Sequence, residues 1–366
     1  MKKLFTLVLL ALTVSSILAQ DKAPGKFSGY MFGDFFYNAA MDANAANLAN
    51  KAIPGTQDLN GIQLRRIYFT YDYEISQTFS TRFRLEADQA ANTSNGKIGV
   101  FVKDAYLKWK NIFSGSDLIF GIQPTPAFEV SEAVWGNRFL EKTIMDLRGI
   151  VSSRDLAVTL KGKIDAEGIF NYWLMVGDGT GNAPETDKYK RYYAHIQLKP
   201  IKNFNITLYA DLKSQKQFNN PNSTVNPPAT LGNNVLTYSL FAGYEEKNKY
   251  SVGAEGFIVS TENGIKKGSA KPFSMSNKTG LGFSLFGTYF FNEELAAVAR
   301  FDSYDPNNDS DFKGDSRSFF VAGLKWILDK NVTISPNVLI ETYETVPNGI
   351  AIDTSIQPRL TFYYQF

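Results

Sequence analysis

From Ile356 to the end of the chain, apolar and polar side chains alternate. Ile356, Pro358, Leu360, Phe362, Tyr364 and Phe366 hold the even positions, and Gln357, Arg359, Thr361, Tyr363 and Gln365 the odd ones. Successive side chains of a β-strand point to opposite faces, so this period predicts a strand with one greasy face and one wet face. The same period recurs throughout, with turn-forming residues between the segments. It predicts strands near 27–37, 62–74, 79–89, 100–110, 117–124, 154–163, 168–177, 188–199, 204–213, 234–246, 249–260, 279–291, 294–304, 317–328, 331–343 and 354–366. These sixteen segments predict an all-β fold: a transmembrane antiparallel β-barrel with both termini at one end.

The connectors alternate in length. Those after even-numbered strands are tight, at 75–78, 111–116, 164–167, 200–203, 247–248, 292–293 and 329–330. Those after odd-numbered strands are longer and polar, at 38–61, 125–153, 214–233, 261–278 and 305–316. Short periplasmic turns and long outer loops are the habit of bacterial outer-membrane barrels, so both termini are expected in the periplasm. At the amino end, Met1-Lys2-Lys3, the apolar stretch Leu4 to Leu12, and Ile17-Leu18-Ala19 before Gln20 predict a secretory signal peptide over 1–19. That leaves 20–366 as one barrel domain in the outer membrane. The leader's apolar run is shorter than the roughly 20 residues a spanning helix needs.

Composition narrows the function classes. Of the 38 Lys and Arg, two lie in the leader, which leaves 36 against 36 Asp and Glu. A neutral chain gives no electrostatic case for nucleic acid. The absence of cysteine removes disulfides and thiolate metal sites. Aromatics at 14%, with 29 Phe and 19 Tyr, suit the girdles of a barrel surrounded by outer-membrane lipid. The lone histidine, His195, shares its face with Gln197 and has no nucleophile two residues on, so no enzyme is expected. No cofactor or metal is expected either. Asp305, Asn307, Asp309 and Asp311 alternate as a calcium loop begins, but Ser310 and Ser316 replace its glycine and terminal glutamate. Gly177-Asp178-Gly179-Thr180-Gly181 lacks the helix a phosphate cradle needs and reads as a loop start.

Strand register assigns the lumen. In the third predicted strand Arg82, Arg84, Glu86 and Asp88 share the inner face, and the same logic turns inward Arg66, Asp104, Lys108, Lys161, Arg191, Asp211, Arg300, Asp302, Lys325, Glu341 and Arg359. Barrels of sixteen strands generally leave an aqueous channel. The connector 125–153 is the longest and is rich in apolar residues, which argues against disorder. It carries Arg138, Lys142 and Arg148, with Arg154 at its exit, and is expected to fold inward and narrow the pore. Arg82, Arg84, Arg138, Lys142, Arg148 and Arg154 are therefore the candidate constriction and anion-guidance residues. The expected function is passive diffusion of small hydrophilic solutes; the alternative is a structural or adhesive barrel without an open pore. Pro336 and Pro358 sit inside strands of a closed sheet, where bulges are expected.

Several short motifs occur in order: Asp104-Ala105-Tyr106-Leu107, Phe120-Gly121-Ile122-Gln123-Pro124, Phe139-Leu140-Glu141-Lys142, and Ser152-Ser153-Arg154-Asp155-Leu156-Ala157-Val158 with Gly162. Together they resemble the phosphate-selective porin O and P family over roughly residues 60 to 200. The resemblance implies a sixteen-stranded, typically homotrimeric channel whose third outer loop folds into the lumen, with Lys and Arg guiding anions such as phosphate. The chain departs from it in interleaving Glu86, Asp88, Asp104 and Asp302 among the lumen cations. The terminal Phe366 resembles the signal read by the outer-membrane barrel assembly machinery, which would make that machinery a partner.

Overall fold

A computed structural model describes residues 25–49, 51–345 and 351–366. The leader expected over 1–19 lies outside them. Strands β1 (Gly25–Tyr37), β2 (Asn60–Glu74), β3 (Phe79–Asn92), β4 (Ile98–Phe113), β5 (Ser116–Pro124), β6 (Arg154–Lys163), β7 (Phe170–Gly177), β8 (Arg191–Leu198) and β9 (Phe204–Lys213) follow one another. After a two-residue hairpin of β10 (Phe218–Asn219) and β11 (Thr230–Leu231) come β12 (Val235–Glu246), β13 (Tyr250–Lys267), β14 (Ser274–Phe290), β15 (Leu295–Asp305), β16 (Arg317–Asp329), β17 (Val332–Tyr343) and β18 (Ser355–Gln365). Apart from β10 and β11, these strands form one closed antiparallel barrel of sixteen, sealed where β1 pairs with β18 from Tyr30↔Gln365 to Phe36↔Arg359. Closure matters because an unpaired edge could not satisfy its backbone in lipid.

The period-two pattern sorts side chains as expected. Phe120, Leu174, Leu240, Ile258 and Leu285 stand on the exposed outer face, while Thr159, Trp173, Thr237, Glu255 and Asp302 between or beside them are buried inside. One predicted connector was too long. The segment 261–278 is mostly strand, because β13 and β14 run on past their barrel neighbours to a short turn at 268–273. The proline expectation also fails. Pro336 pairs with Leu360 and Pro358 with Val338 without any register shift. On the β16 side the ladder omits Leu324 and Lys325 and resumes in register, and Ser335 Oγ donates to the carbonyl of Leu324 at 2.6 Å. A missing proline N–H affects one neighbour only, so a hydroxyl and a skipped rung suffice where a bulge was expected.

The two motifs set aside in the sequence are both filled from within the chain. The backbone N–H groups of Gly179 and Gly181 donate to the Asp155 carboxylate at 2.8 and 3.2 Å, and Tyr193 Oη donates to it at 2.7 Å. In the Asp305 loop, the Lys267 ammonium lies 2.7 Å from Asp309 and 2.9 Å from Asp311.

Candidate pore and its constriction

The connector 125–153 lies inside the barrel. It opens with a helix, Glu129–Trp135, ended by Gly136 in the left-handed conformation (φ 61°), and later makes a single turn, Ile144–Leu147. Val134, Trp135, Phe139 and Leu140 pack in one cluster with Phe241, Phe286, Val298, Phe319, Val321 and Leu339, all inward residues of β12 and β14 to β17. Ile144 and Met145 join a second cluster with Phe257, Tyr304, Trp173 and Tyr209. Burying that much apolar surface, at about 25 cal/mol per Å², fixes the loop against one side of the lumen. Polar ties reinforce it: Ser131 Oγ donates to Glu255 at 3.0 Å, Asn137 Nδ2 to Thr288 at 2.9 Å, and Arg148 to Glu341 at 2.6 Å.

The facing wall is ionic. Arg66 and Lys103 both pair with Glu86, at 2.6 and 2.9 Å, and Arg84 and Arg154 share Asp104, the former at 3.2 Å. Arg65 reaches Asp34 at 2.7 Å and Glu141 at 3.7 Å, and Arg359 lies 3.6 Å from Glu141. Burial tends to raise the Glu141 carboxyl, but Arg65 and Arg359 outweigh it and hold it below the usual range. Asp146 is likewise pulled down against its burial by Arg138.

Register shifts decide who reaches this wall. One falls between Phe32 and Gly33, where β2 skips Arg65 between its partners Arg66 and Leu64; the other falls between Arg84 and Leu85, where β4 skips Lys103 between Asp104 and Val102. Two residues then oppose one, and adjacent side chains share a face. Arg65 and Lys103 consequently join the lumen beside Arg66 and Asp104. Strict alternation had missed both. Their sequence signal is a pair of neighbouring charges, Arg65-Arg66 and Lys103-Asp104, inside an otherwise alternating strand.

Two cavities flank the loop. One, about 230 Å³, lies toward the long-loop end and is lined by Arg65, Arg66, Arg138, Lys142 and Arg359 with the carboxylates of Asp88 and Glu141, while Asp34, Glu86, Glu132 and Asp146 pair its arginines from outside the lining. The other, about 480 Å³, lies toward the termini and balances Arg138 and Lys325 against Glu129 and Glu132 among Tyr30, Phe139 and Tyr363. Phe32 and Arg138 border both. Arg138 is held there by Glu132 and Asp146, each at 2.8 Å.

The six candidates thus separate. Arg138 and Lys142 line the cavities, and the Lys142 ammonium, unlike the arginines, has no carboxylate within 4.0 Å among the described residues. Arg84 and Arg154 stand on the wall around Asp104, and Arg82 pairs with Asp72 at 2.7 Å nearer the terminal end. Arg148 corrects the expectation. It is fully buried, held by Glu341 and by the rings of Tyr304 and Phe319, because the loop turns it into the barrel wall. The terminal Phe366 is exposed on the outer face, with its backbone paired to Gly29.

No protein-family model matches the chain, and no curated protein matches it. Solved structures match over nearly its whole length. It resembles the outer membrane channel DcaP of Acinetobacter baumannii at 13% identity and a TM-score of 0.66, covering 94% of this chain and 99% of that one. OprB of Pseudomonas putida matches at 9% identity and 0.63, covering 97% and 96%. An anion-selective porin from Comamonas acidovorans matches at 10% identity and 0.60, covering 93% and 99%. At such identities the likeness shows the fold: a closed sixteen-stranded barrel of the porin type.

Proposed function

We propose that this chain is a bacterial outer-membrane porin, a water-filled channel for passive diffusion of small hydrophilic solutes. The observation that carries the reading is the pair of cavities that meet at Arg138 and Phe32 across an inserted loop. A sealed barrel has no use for a loop that narrows the lumen while leaving space on both sides of it. The test is conductance of the purified protein in a planar bilayer. Discrete channel steps are expected; their absence in folded protein would favour the structural or adhesive alternative.

Anion preference, with phosphate among the candidates, is supported by the Lys142 ammonium, which lines the cavity nearer the long loops without an ion pair within 4.0 Å among the described residues, beside four arginines already paired with carboxylates. Fixed charge in a narrow aqueous section biases ions even when the whole protein is neutral. Arg82, Arg84 and Arg154 would add a longer-range positive field, and Arg148 would hold the loop. Reversal potential in a salt gradient measures the bias. The same reading puts the termini and short turns in the periplasm, so Asn308→Cys should react with a maleimide on intact cells. It gives Phe366 the role of assembly signal, and it expects a homotrimer that chemical crosslinking in membranes would capture.

A further inference from the structure

We propose that the chamber between the inner face of β6 to β8 and the start of the inserted loop binds a small monocarboxylate. This chamber, about 390 Å³, is lined by Lys161, Trp173 and His195 from three successive strands and by Glu129 and Val130 from the loop. Those wall residues are paired neighbours, Lys161↔Trp173 and Trp173↔His195, so their side chains stand in a row on one face. The Lys161 ammonium sits 4.0 Å from the centre of the Trp173 ring.

Hydrogen-bond accounting sets the chamber apart. Trp173 and His195 are only 7% and 6% exposed. The Trp173 indole N–H is shielded and has no acceptor in the protein, while among the described residues neither the His195 imidazole nor the Lys161 ammonium, which line the chamber, has a protein hydrogen bond or a carboxylate within 4.0 Å. Every tautomer of histidine presents at least one N–H, so two kinds of donor, imidazole and ammonium, border the chamber without an acceptor from the protein. Buried polar groups are ordinarily paired. An oxygen-rich solute would supply acceptors to both in exchange for water.

Charge selects the class. Of the two lysines at the chamber, Lys163 spends its ammonium on the carbonyl of Ala166 at 2.7 Å, leaving Lys161 as the open cation, while Glu129 opposes a second negative charge. One carboxylate fits, and a dianion is disfavoured. Val130 and the Trp173 ring give an apolar side to a short tail.

His195 is the only histidine of the chain, so ring-labelled histidine gives a single magnetic-resonance signal from inside the site. The folded barrel in detergent would be titrated with acetate, benzoate, inorganic phosphate and acetamide. We expect a saturable shift with acetate and benzoate, a weaker response to phosphate at a pH where it is dianionic, and none with acetamide. Lys161→Met should weaken carboxylate binding about tenfold or more, the scale of a hydrogen bond to a charged group, and Lys161→Arg should restore most of it. No saturable shift, an equal response to acetamide, or no change in Lys161→Met would overturn the proposal. The readout is binding and not current, so a sealed lumen would fail the conductance test without touching this one.

Discussion

The inner faces of β2 to β4 and of β12 to β17 belong to one lumen and follow opposite chemistry. The first carries Arg66, Glu86, Lys103 and Asp104, knit into ion pairs; the second carries Phe241, Phe286, Val298, Phe319, Val321 and Leu339. Water alone cannot explain both. The second face is apolar because the inserted loop, and not solvent, covers it. A polar interior is therefore a rule about the surface left over after the loop has docked, and the apolar wall is the loop's binding site. On the ionic face, each buried guanidinium needs a carboxylate to offset its lost hydration, so the interleaving of signs follows from burial before any selectivity is considered.

The largest effects should come from separating the two walls. Arg148→Met leaves Glu341 buried without its guanidinium and is expected to destabilise the folded barrel by about 3–5 kcal/mol, measured by denaturant unfolding; replacing both with apolar residues should recover most of that. Trp135→Ala removes a side chain 1% exposed that meets Phe286 edge-on at 5.2 Å, and should cost a similar ~3–5 kcal/mol. Its distinguishing sign is a loosened loop, seen as a larger and noisier conductance with cleavage by protease inside 125–153. Unchanged conductance would show that the apolar wall does not hold the constriction.

On the ionic side the effects are smaller and electrical. Lys142→Gln should move the reversal potential toward cations by about 1 kcal/mol of ion preference at low salt, with the shift fading as the Debye length falls below about 8 Å. Arg84→Gln should move the potential less and stability more, since its charge is already tied to Asp104. The reverse ranking would mean that paired arginines, and not the open lysine, set selectivity. The smallest effect belongs to the loop 178–190, which meets the ionic wall through Asn182 and the backbone carbonyls of Val102 and Lys103. There the Lys190 ammonium and the N–H groups of Asp187 and Thr186 draw the Glu185 carboxyl from 4.5 down to about 2. A depressed carboxyl contributes stability that is present above its unfolded value and lost as pH falls through the folded one. Protection of that loop's amides, measured against intrinsic exchange at the same pH, should fall between about pH 4.5 and 2 while the barrel strands keep theirs.

Strand number, the order of short and long connectors apart from 261–278, and the limits of the inserted loop at 125 and 153 were legible because period two and turn chemistry are local signals. Arg138 and Lys142 could be found for a related reason, as charges within an apolar loop that has nowhere to bury itself except the lumen. Arg65 and Lys103 escaped because a bulge is a property of two strands and shows only as a doublet in one. Arg148 was misplaced because its environment depends on Glu341, Tyr304 and Phe319, which lie far away in sequence. The apolar inner face was hidden by the same fact that explains it: strands covered by a loop look, in one dimension, like strands covered by lipid.

The seam between β1 and β18 has a kinetic meaning. Each other neighbour pair in the ring joins consecutive barrel strands, but this one brings together the two ends of the described chain. Entropy penalises such a long closure only logarithmically, so the obstacle is the search and not the equilibrium cost. What waits at the end of that search is a fitted surface. A side chain at Gly29 would meet the Phe366 ring at 2.5 Å and the carbonyl of Tyr68 at 2.4 Å, and one at Gly33 would meet the Phe362 ring at 2.7 Å. Two aromatic rings of the last strand lie over two bare glycines of the first and act as a clasp. A bulkier residue at Gly29 should leave the hairpins able to form and the ring slow to shut, so that an open, two-edged sheet persists as the aggregation-prone species.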